Sequence, residues 1–281
     1  MSPIKPRSQP NASEQDYDAI DLLCIAAARE IQETETVLVG MGPPLLASAI
    51  AKIVSSPSMY YVTESGCFDW NPRNFGRRAP YQISDPILTE SSAMVTDMLD
   101  GLGAFVMGGN ADCAMLQAAQ IDRFGNLNTI LLGSYHEPSR RLPGTGGSVD
   151  SGASAKRVIS TIPLERRRFA KRVDFLTTAG YINGPGARTR EGLRLQGPNM
   201  CITTGCIFRF DTPDGGQTGT CEMVLEALFP GVTVDEVIST IPWRLKVSDD
   251  IKVIEPPTED EIIAINQLDP DRIFRVPGRY S

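Results

Sequence analysis

The first 64 residues alternate between two hydrophobic periods, and this alternation restricts the fold more than any other feature. Residues 14–32, "EQDYDAIDLLCIAAAREIQ", set Ile20, Leu23, Ile25, Ala27 and Ile31 at helical spacing, with Ser13 available to cap the start. "TVLVG" (36–40) reads as a buried strand, and "MGPPLLASAIAKIVSS" as a glycine turn opening a helix with Pro43 in its first turn. "MYYVTE" is the next strand. Strands separated by a helix run parallel, because the crossover returns the chain to the same end of the sheet.

The rhythm continues. "SSAMVTDMLDGL" (91–102) predicts a helix and "GAFVMGG" (103–109) a strand; "NTILLG" (128–133), "KRVISTI" (156–162) and "VDFLTT" (173–178) predict further strands. "NMCITTGCIFRF" reads as a hairpin followed by an exposed turn, "DTPDGGQTGT". Thr233 with Glu236, and Thr258 with Glu261, are capping boxes that start helices, and "PWRLKVSDDIKVIEPP" alternates as a strand does. The expected fold is α/β: an open, mainly parallel sheet covered by helices, with a small C-terminal appendage. Residues 1–13 read as a flexible leader and 14–281 as one domain, long enough for a sizeable core.

Charge and composition remove several classes. A net charge of −7 argues against nucleic acid, whose phosphates need a basic surface. The longest apolar stretches fall far short of the roughly 20 residues that span a bilayer. The N-terminus lacks the apolar core of a signal peptide, so no membrane partner and a cytoplasmic location are expected. Cys24, Cys67, Cys113, Cys201, Cys206 and Cys221 are scattered without a CxxC pair, which predicts reduced, buried thiols and no metal site. The single histidine, His136, precedes Glu137 and Pro138 and reads as a loop residue; most Ser-His or Cys-His schemes thereby lose their base.

Four segments could carry chemistry. In "TESGCFDW", Glu64 puts a charge where a buried strand ends, with Gly66 letting the chain turn; it is either a loop residue or a nucleophile or base on a rigid strand end. "GMGPP" (40–44) is a tight strand-to-helix turn or an anion-facing loop, and it lacks the third glycine of a dinucleotide fingerprint. "GTGGSVD" (144–150) is a surface loop or a row of backbone donors for an oxyanion. "ERRRFAKR" (165–172) is a solvated basic face, a subunit contact or a site for a nucleotide phosphate.

Four ordered motifs carry a family likeness. "AQIDRFGNLNTILLG", "GTGGSVDSGASAKRVI", "VDFLTTAGYINGPGAR" and "LFPGVTVDEVI" resemble the β subunits of family I coenzyme A transferases, of the glutaconate type, and the likeness runs from about residue 20 to 270. The resemblance implies that Glu64, in "TESG", is the catalytic glutamate. It would attack an acyl-CoA thioester to form a mixed anhydride, and the released thiolate would convert this to an enzyme-CoA thioester. The resemblance further implies oxyanion donors at Gly146 and Gly147, and a site wall that includes Gln120 in "QAAQIDRFGN". No cofactor would be permanently bound; coenzyme A and acyl-CoA would be substrates, together with a carboxylic acid. An α-like subunit would complete a hetero-oligomer. Ser65 stands where many members have Asn, and "MLQAAQ" replaces the more usual "FLGGAQ", which reshapes the pocket. Relatives that lack the glutamate hydrolyse ring thioesters; Glu64 sets this chain apart from them. Acyl-CoA hydrolysis on the same fold, and a non-catalytic ligand-binding domain, are the competing functions.

Overall fold

A computed structural model describes residues 17–74, 79–193, 195–214 and 216–276. The leader expected over 1–13, and Ser13 as a cap, lie outside them. Helix α1 (Ala19–Arg29) is started instead by Asp18, whose carboxylate accepts from the Ile20 and Asp21 N–H groups while Asp21 reaches back to the Asp18 N–H. Strand β1 (Thr36–Val39), helix α2 (Pro43–Val54) and strand β2 (Tyr60–Val62) follow as the sequence predicts, with Pro43 at the first helical position. A tight turn leads into β3 (Cys67–Trp70), then helix α3 (Pro86–Ser91) and edge strand β4 (Ser92–Val95).

Residues 91–109 depart from expectation. Ser92–Val95 is strand, and "GAFVMGG" lies inside a wide, π-type helix, Leu99–Asn110. A short apolar run has no period of its own to distinguish the two structures. Packing distinguishes them: Leu102 and Val106, one turn apart, are buried while Met107 is exposed. The strand of this region is β5 (Cys113–Gln117).

Two short ribbons follow, β6 (Gln120–Ile121) with β7 (Leu127–Asn128), and β8 (Leu131–Gly133) with β9 (Pro138–Arg141). "NTILLG" is therefore broken. The Asn128 side chain accepts from the Ile130 N–H at 3.1 Å, an Asx turn that ends one strand before the next begins. Helix α4 (Ser148–Ser154) and strand β10 (Arg157–Ile162) come next. "VDFLTT" is a loop with one isolated bridge, Thr178 to Leu127, rather than a strand. Helix α5 (Ala187–Arg190), strands β11 (Pro198–Thr203), β12 (Cys206–Phe210) and β13 (Met223–Leu228), helix α6 (Val234–Thr240), strand β14 (Lys246–Val253) and helix α7 (Glu259–Leu268) complete the chain. Both predicted capping boxes are formed.

The main sheet has the order β14-β13-β12-β11-β10-β5-β1-β2-β3-β4. Its centre, β11-β10-β5-β1-β2, is parallel, flanked by antiparallel pairings on both sides. Alternate residues serve opposite layers. Val37, Val39, Cys113, Met115, Met200 and Ile202 pack with the residues of α1, α2 and α7, while Leu38, Ala114, Leu116 and Cys201 pack with Leu102, Val106 and Val237 on the other face.

The expected C-terminal appendage is joined to this body. Strand β14 extends the sheet in parallel with β13, and Ile265, Leu268, Ile273 and Phe274 enter the first core. The buried Arg275 guanidinium lies 2.9 Å from Asp21 and 3.3 Å from Asp269, fastening residues 254 positions apart. All six cysteines are free and buried, and burial pushes the Cys113 and Cys201 thiols up to about 12. They are packing residues. No described helix is long and apolar enough to cross a membrane.

Candidate active site

The chain leaves β1 toward β2 on one side and returns to place β5 on the other. The crevice beyond the carboxyl ends of these two strands is a topological switch point, where open α/β sheets bind ligands. A cavity of about 310 Å³ lies there, lined from below by Leu38–Met41 and by Leu116–Ala119. Gly40 allows the strands to close up: its N–H bonds the Met115 carbonyl at 2.9 Å, and a Cβ there would lie 2.9 Å from the same oxygen. "GMGPP" is thus a tight turn that also supplies a wall.

Glu64 enters from the turn between β2 and β3, and several bonds hold its backbone. The Thr63 N–H donates to the Cys67 carbonyl at 3.0 Å, the Cys67 N–H to Thr63 Oγ1 at 3.1 Å, and the Gly66 N–H to the Thr63 carbonyl at 3.1 Å. Ser65 Oγ donates to the Ile83 carbonyl at 2.9 Å and lies 2.8 Å from Thr63 Oγ1. Gly66 has φ +86°, and a Cβ there would sit 2.6 Å from the Thr96 and Asp97 carbonyl oxygens. Only glycine fits both the conformation and the space. The half-buried Glu64 carboxylate then lines the cavity.

The "GTGGSVD" loop faces it from the other side. The Gly147 N–H donates to Glu64 Oε2, and the Gly147 carbonyl accepts from the Ser151 N–H at 2.9 Å and from Ser151 Oγ. A Cβ on Gly146 would lie 3.0 Å from Glu64 Oε2, and one on Gly147 only 2.7 Å. Glu64 therefore meets Gly146 and Gly147, which lie far from it in sequence.

Gln120 does not join them. Its amide nitrogen donates to Asp174 at 3.0 Å, and its oxygen accepts from Asn128 at 2.8 Å and from the Asp174 N–H at 3.1 Å, so it ties the β6–β7 ribbon to the 174 loop. The wall it was expected to form is made by Gln117, Ala118 and Ala119. These follow from β5, a strand hidden in the sequence by the apolar residues before it. Thr129 and Ser148 also line the cavity without a sequence signal beyond their place in glycine- and asparagine-bearing loops.

Among the described lining residues Glu64 carries the only charge. His136 is exposed in a loop. In "ERRRFAKR", Arg166, Arg167, Lys171 and Arg172 are exposed, and Arg168 is buried 3.0 Å from Glu165, all outside the cavity. No cluster of three His, Cys, Asp or Glu side chains that could hold a metal is found among the described residues. A carboxylate fixed at a switch point, clasped by a backbone N–H in a small and otherwise uncharged cleft, defines an α/β enzyme chain suited to carboxylate chemistry.

The family model for coenzyme A transferase matches residues 22–240. The chain is 33% identical to the B-type subunit of 3-oxoadipate CoA-transferase from Pseudomonas knackmussii, over 90% of this chain and 94% of that protein. It is 28% identical to the B-type subunit of glutaconate CoA-transferase from Acidaminococcus fermentans, over 92% and 95%. The crystal structure of glutaconate coenzyme A-transferase from that organism superposes with a TM-score of 0.83, covering 93% of this chain and 99% of that one. A more distant relative, at 23% identity over 81% and 82%, is the IpdB component of the cholesterol ring-cleaving hydrolase of Rhodococcus jostii. The chain belongs to the coenzyme A transferase family, and it is a transferase subunit of the B type.

Proposed function

We propose that this subunit moves coenzyme A between an acyl-CoA and a carboxylic acid through a glutamyl-CoA thioester on Glu64. The observation that carries the reading is the Glu64 carboxylate, held at the switch point with the Gly147 N–H on Oε2. The carboxylate attacks the acyl-CoA carbonyl, forming a mixed anhydride and releasing CoA thiolate. The thiolate attacks the glutamyl carbonyl, giving the enzyme thioester and free acid. An acceptor carboxylate repeats these steps in reverse order and leaves as the new acyl-CoA. When the glutamyl carbonyl is attacked, its oxygen becomes an oxyanion, and a donor already placed on that oxygen needs no reorganisation. The reaction requires no resident cofactor.

The relatives are named as B-type subunits, which supports an α-like subunit as the partner of this chain, in a hetero-oligomer that is inactive without it. Activity of this chain alone, verified free of a partner, would overturn that part. For the covalent step, the assembled enzyme is incubated with acyl-CoA and the peptide containing Glu64 is examined by mass spectrometry. A CoA adduct is expected, with borohydride converting the thioester to an alcohol. Glu64→Asp retracts the carboxylate by about 1.5 Å and loses most of the activity, because attack needs near-contact geometry. An unmodified Glu64 in an active enzyme refutes the route. Product acid formed continuously without any acceptor acid, beyond one equivalent per enzyme, would indicate hydrolysis instead.

A further inference from the structure

Arg188 is a buried cation with no acidic partner among the described residues. Its hydrogen bonds run to backbone carbonyls alone: Nε to Leu195 at 3.1 Å, Nη1 to Ala179 at 2.7 Å and Gly180 at 3.0 Å, and Nη2 to Gly152 at 3.2 Å. A Cβ on Gly197 would lie 2.8 Å from Arg188 Cζ, so the guanidinium fills its space closely. Buried charges are ordinarily paired with an opposite charge, and one satisfied by carbonyls instead is there to hold backbone.

One of these bonds reaches the helix that begins at the Gly147 donor. Gly147 caps the start of α4, and the last carbonyls of a helix lack partners within it, which an arginine can supply. The Ser151 carbonyl accepts from the Ala155 N–H at 2.9 Å, but the next amide, Lys156, turns to the Ala111 carbonyl at 3.0 Å. The Gly152 carbonyl is left to Arg188. The segment that Arg188 holds at Ala179 and Gly180 also grips α4 from the side. Thr178 Oγ1 donates to the Ser148 carbonyl at 3.1 Å, and a Cβ on Gly152 would lie 2.1 Å from Thr178 Cγ2. Arg188 therefore ties the far end of α4 to the loop that braces its near end, where Ser151 holds the Gly147 carbonyl and the Gly147 N–H meets Glu64. We propose that Arg188 is a positioning residue: acting through α4, it holds the Gly147 N–H against the oxygen of Glu64. Its effect on rate rests on the Glu64 reading given above; its effect on the loop does not.

The test uses this chain assembled with its partner subunit and compares the wild type with Arg188→Lys, which keeps the charge but cannot reach all four carbonyls. Hydrogen exchange read by mass spectrometry quickens about tenfold in the peptide spanning 147–155, while peptides from β1 and β5 stay as in the wild type. Per folded enzyme, kcat falls about tenfold with KM for acyl-CoA within about twofold, because the donor acts when the glutamyl oxygen gains charge. In a Gly147→Ala background, where the donor is already displaced, the same substitution changes kcat by less than about twofold. Should Arg188→Lys fail to assemble, Arg188→Gln, which retains amide donors without the charge, is read in the same way. Quickened exchange with wild-type kcat leaves the positioning role standing and removes the donor from the Glu64 mechanism. Unchanged exchange over 147–155, exchange that quickens equally across the whole sheet, or a loss of kcat undiminished beside Gly147→Ala overturns the proposal.

Discussion

Replacing Gly147 with alanine puts a methyl group where the Glu64 carboxylate rests. The backbone at Gly147 has φ −79° and ψ 9°, a conformation open to alanine, so the substitution carries no backbone strain. The new Cβ lies 2.7 Å from Glu64 Oε2 and 3.1 Å from both Leu102 methyls. Reaching ordinary contact at 3.4 Å requires a relative movement of about 0.7 Å. The carboxylate is the free end of a flexible, half-buried side chain, so it gives way more cheaply than the packed Leu102. Rotation of Glu64 also breaks its bond to the Gly147 N–H. A nucleophile misplaced on this scale loses about a hundredfold in rate, or about 2.7 kcal/mol in the barrier. The melting temperature should stay within about 3 °C of wild type. Gly146→Ala behaves differently: φ is +46° there, so alanine adds backbone strain of about 1 kcal/mol to its contact with Glu64, and activity and stability fall together. The assay is kcat, melting temperature and partner binding on one preparation of each variant. A stable and fully active Gly147→Ala enzyme would remove this loop from the reacting centre. Activity that merely follows the folded fraction would reduce it to a packing element.

Three further outcomes follow from groups outside the reacting centre. Gln120→Met should cost about 1–3 kcal/mol by removing the bonds it makes with Asn128 and Asp174, with KM for acyl-CoA unchanged within about twofold; a raised KM at unchanged stability would return Gln120 to the site wall. Arg275→Met removes the buried cation shared by Asp21 and Asp269, which keep Arg272 at 3.3 Å and the Ile273 and Phe274 N–H groups respectively, and should cost about 1–3 kcal/mol in urea unfolding, whereas a loss below about 0.5 kcal/mol would show that this link holds little. Burial pushes the Asp122 carboxyl from its ordinary 3.8 up to about 6, against the bonds it accepts from Asn126 and Phe124. The folded chain therefore keeps a proton that the unfolded chain has released, so this group's stabilisation falls as pH rises between those two values. Urea titrations should show the wild type losing stability relative to Asp122→Asn across that window, and a constant difference would refute the assignment.

Local patterns specified much of this protein without its tertiary structure. The helices after Gly42, Thr233 and Thr258, and strands β1, β2 and β10, were legible because caps and hydrophobic period act within a few residues. Glu64 and the glycine loop were legible as motifs, with their pairing implied only by family resemblance. The "GAFVMGG" run was not legible: its helix is settled by Leu102 and Val106 packing against the sheet, and by Gly101 approaching Gly66, whose Cα would be 2.8 Å from an added Cβ. The place of Gln120 was equally hidden, since its partners Asn128 and Asp174 are brought to it by the chain's return. The apposition of Gly147 with Glu64 spans 83 residues and is made only when the loop after β9 folds back over the end of β2. Elements arise from interactions along the chain, which a sequence displays; a site is the meeting of their ends, which is decided by how the sheet is ordered and packed.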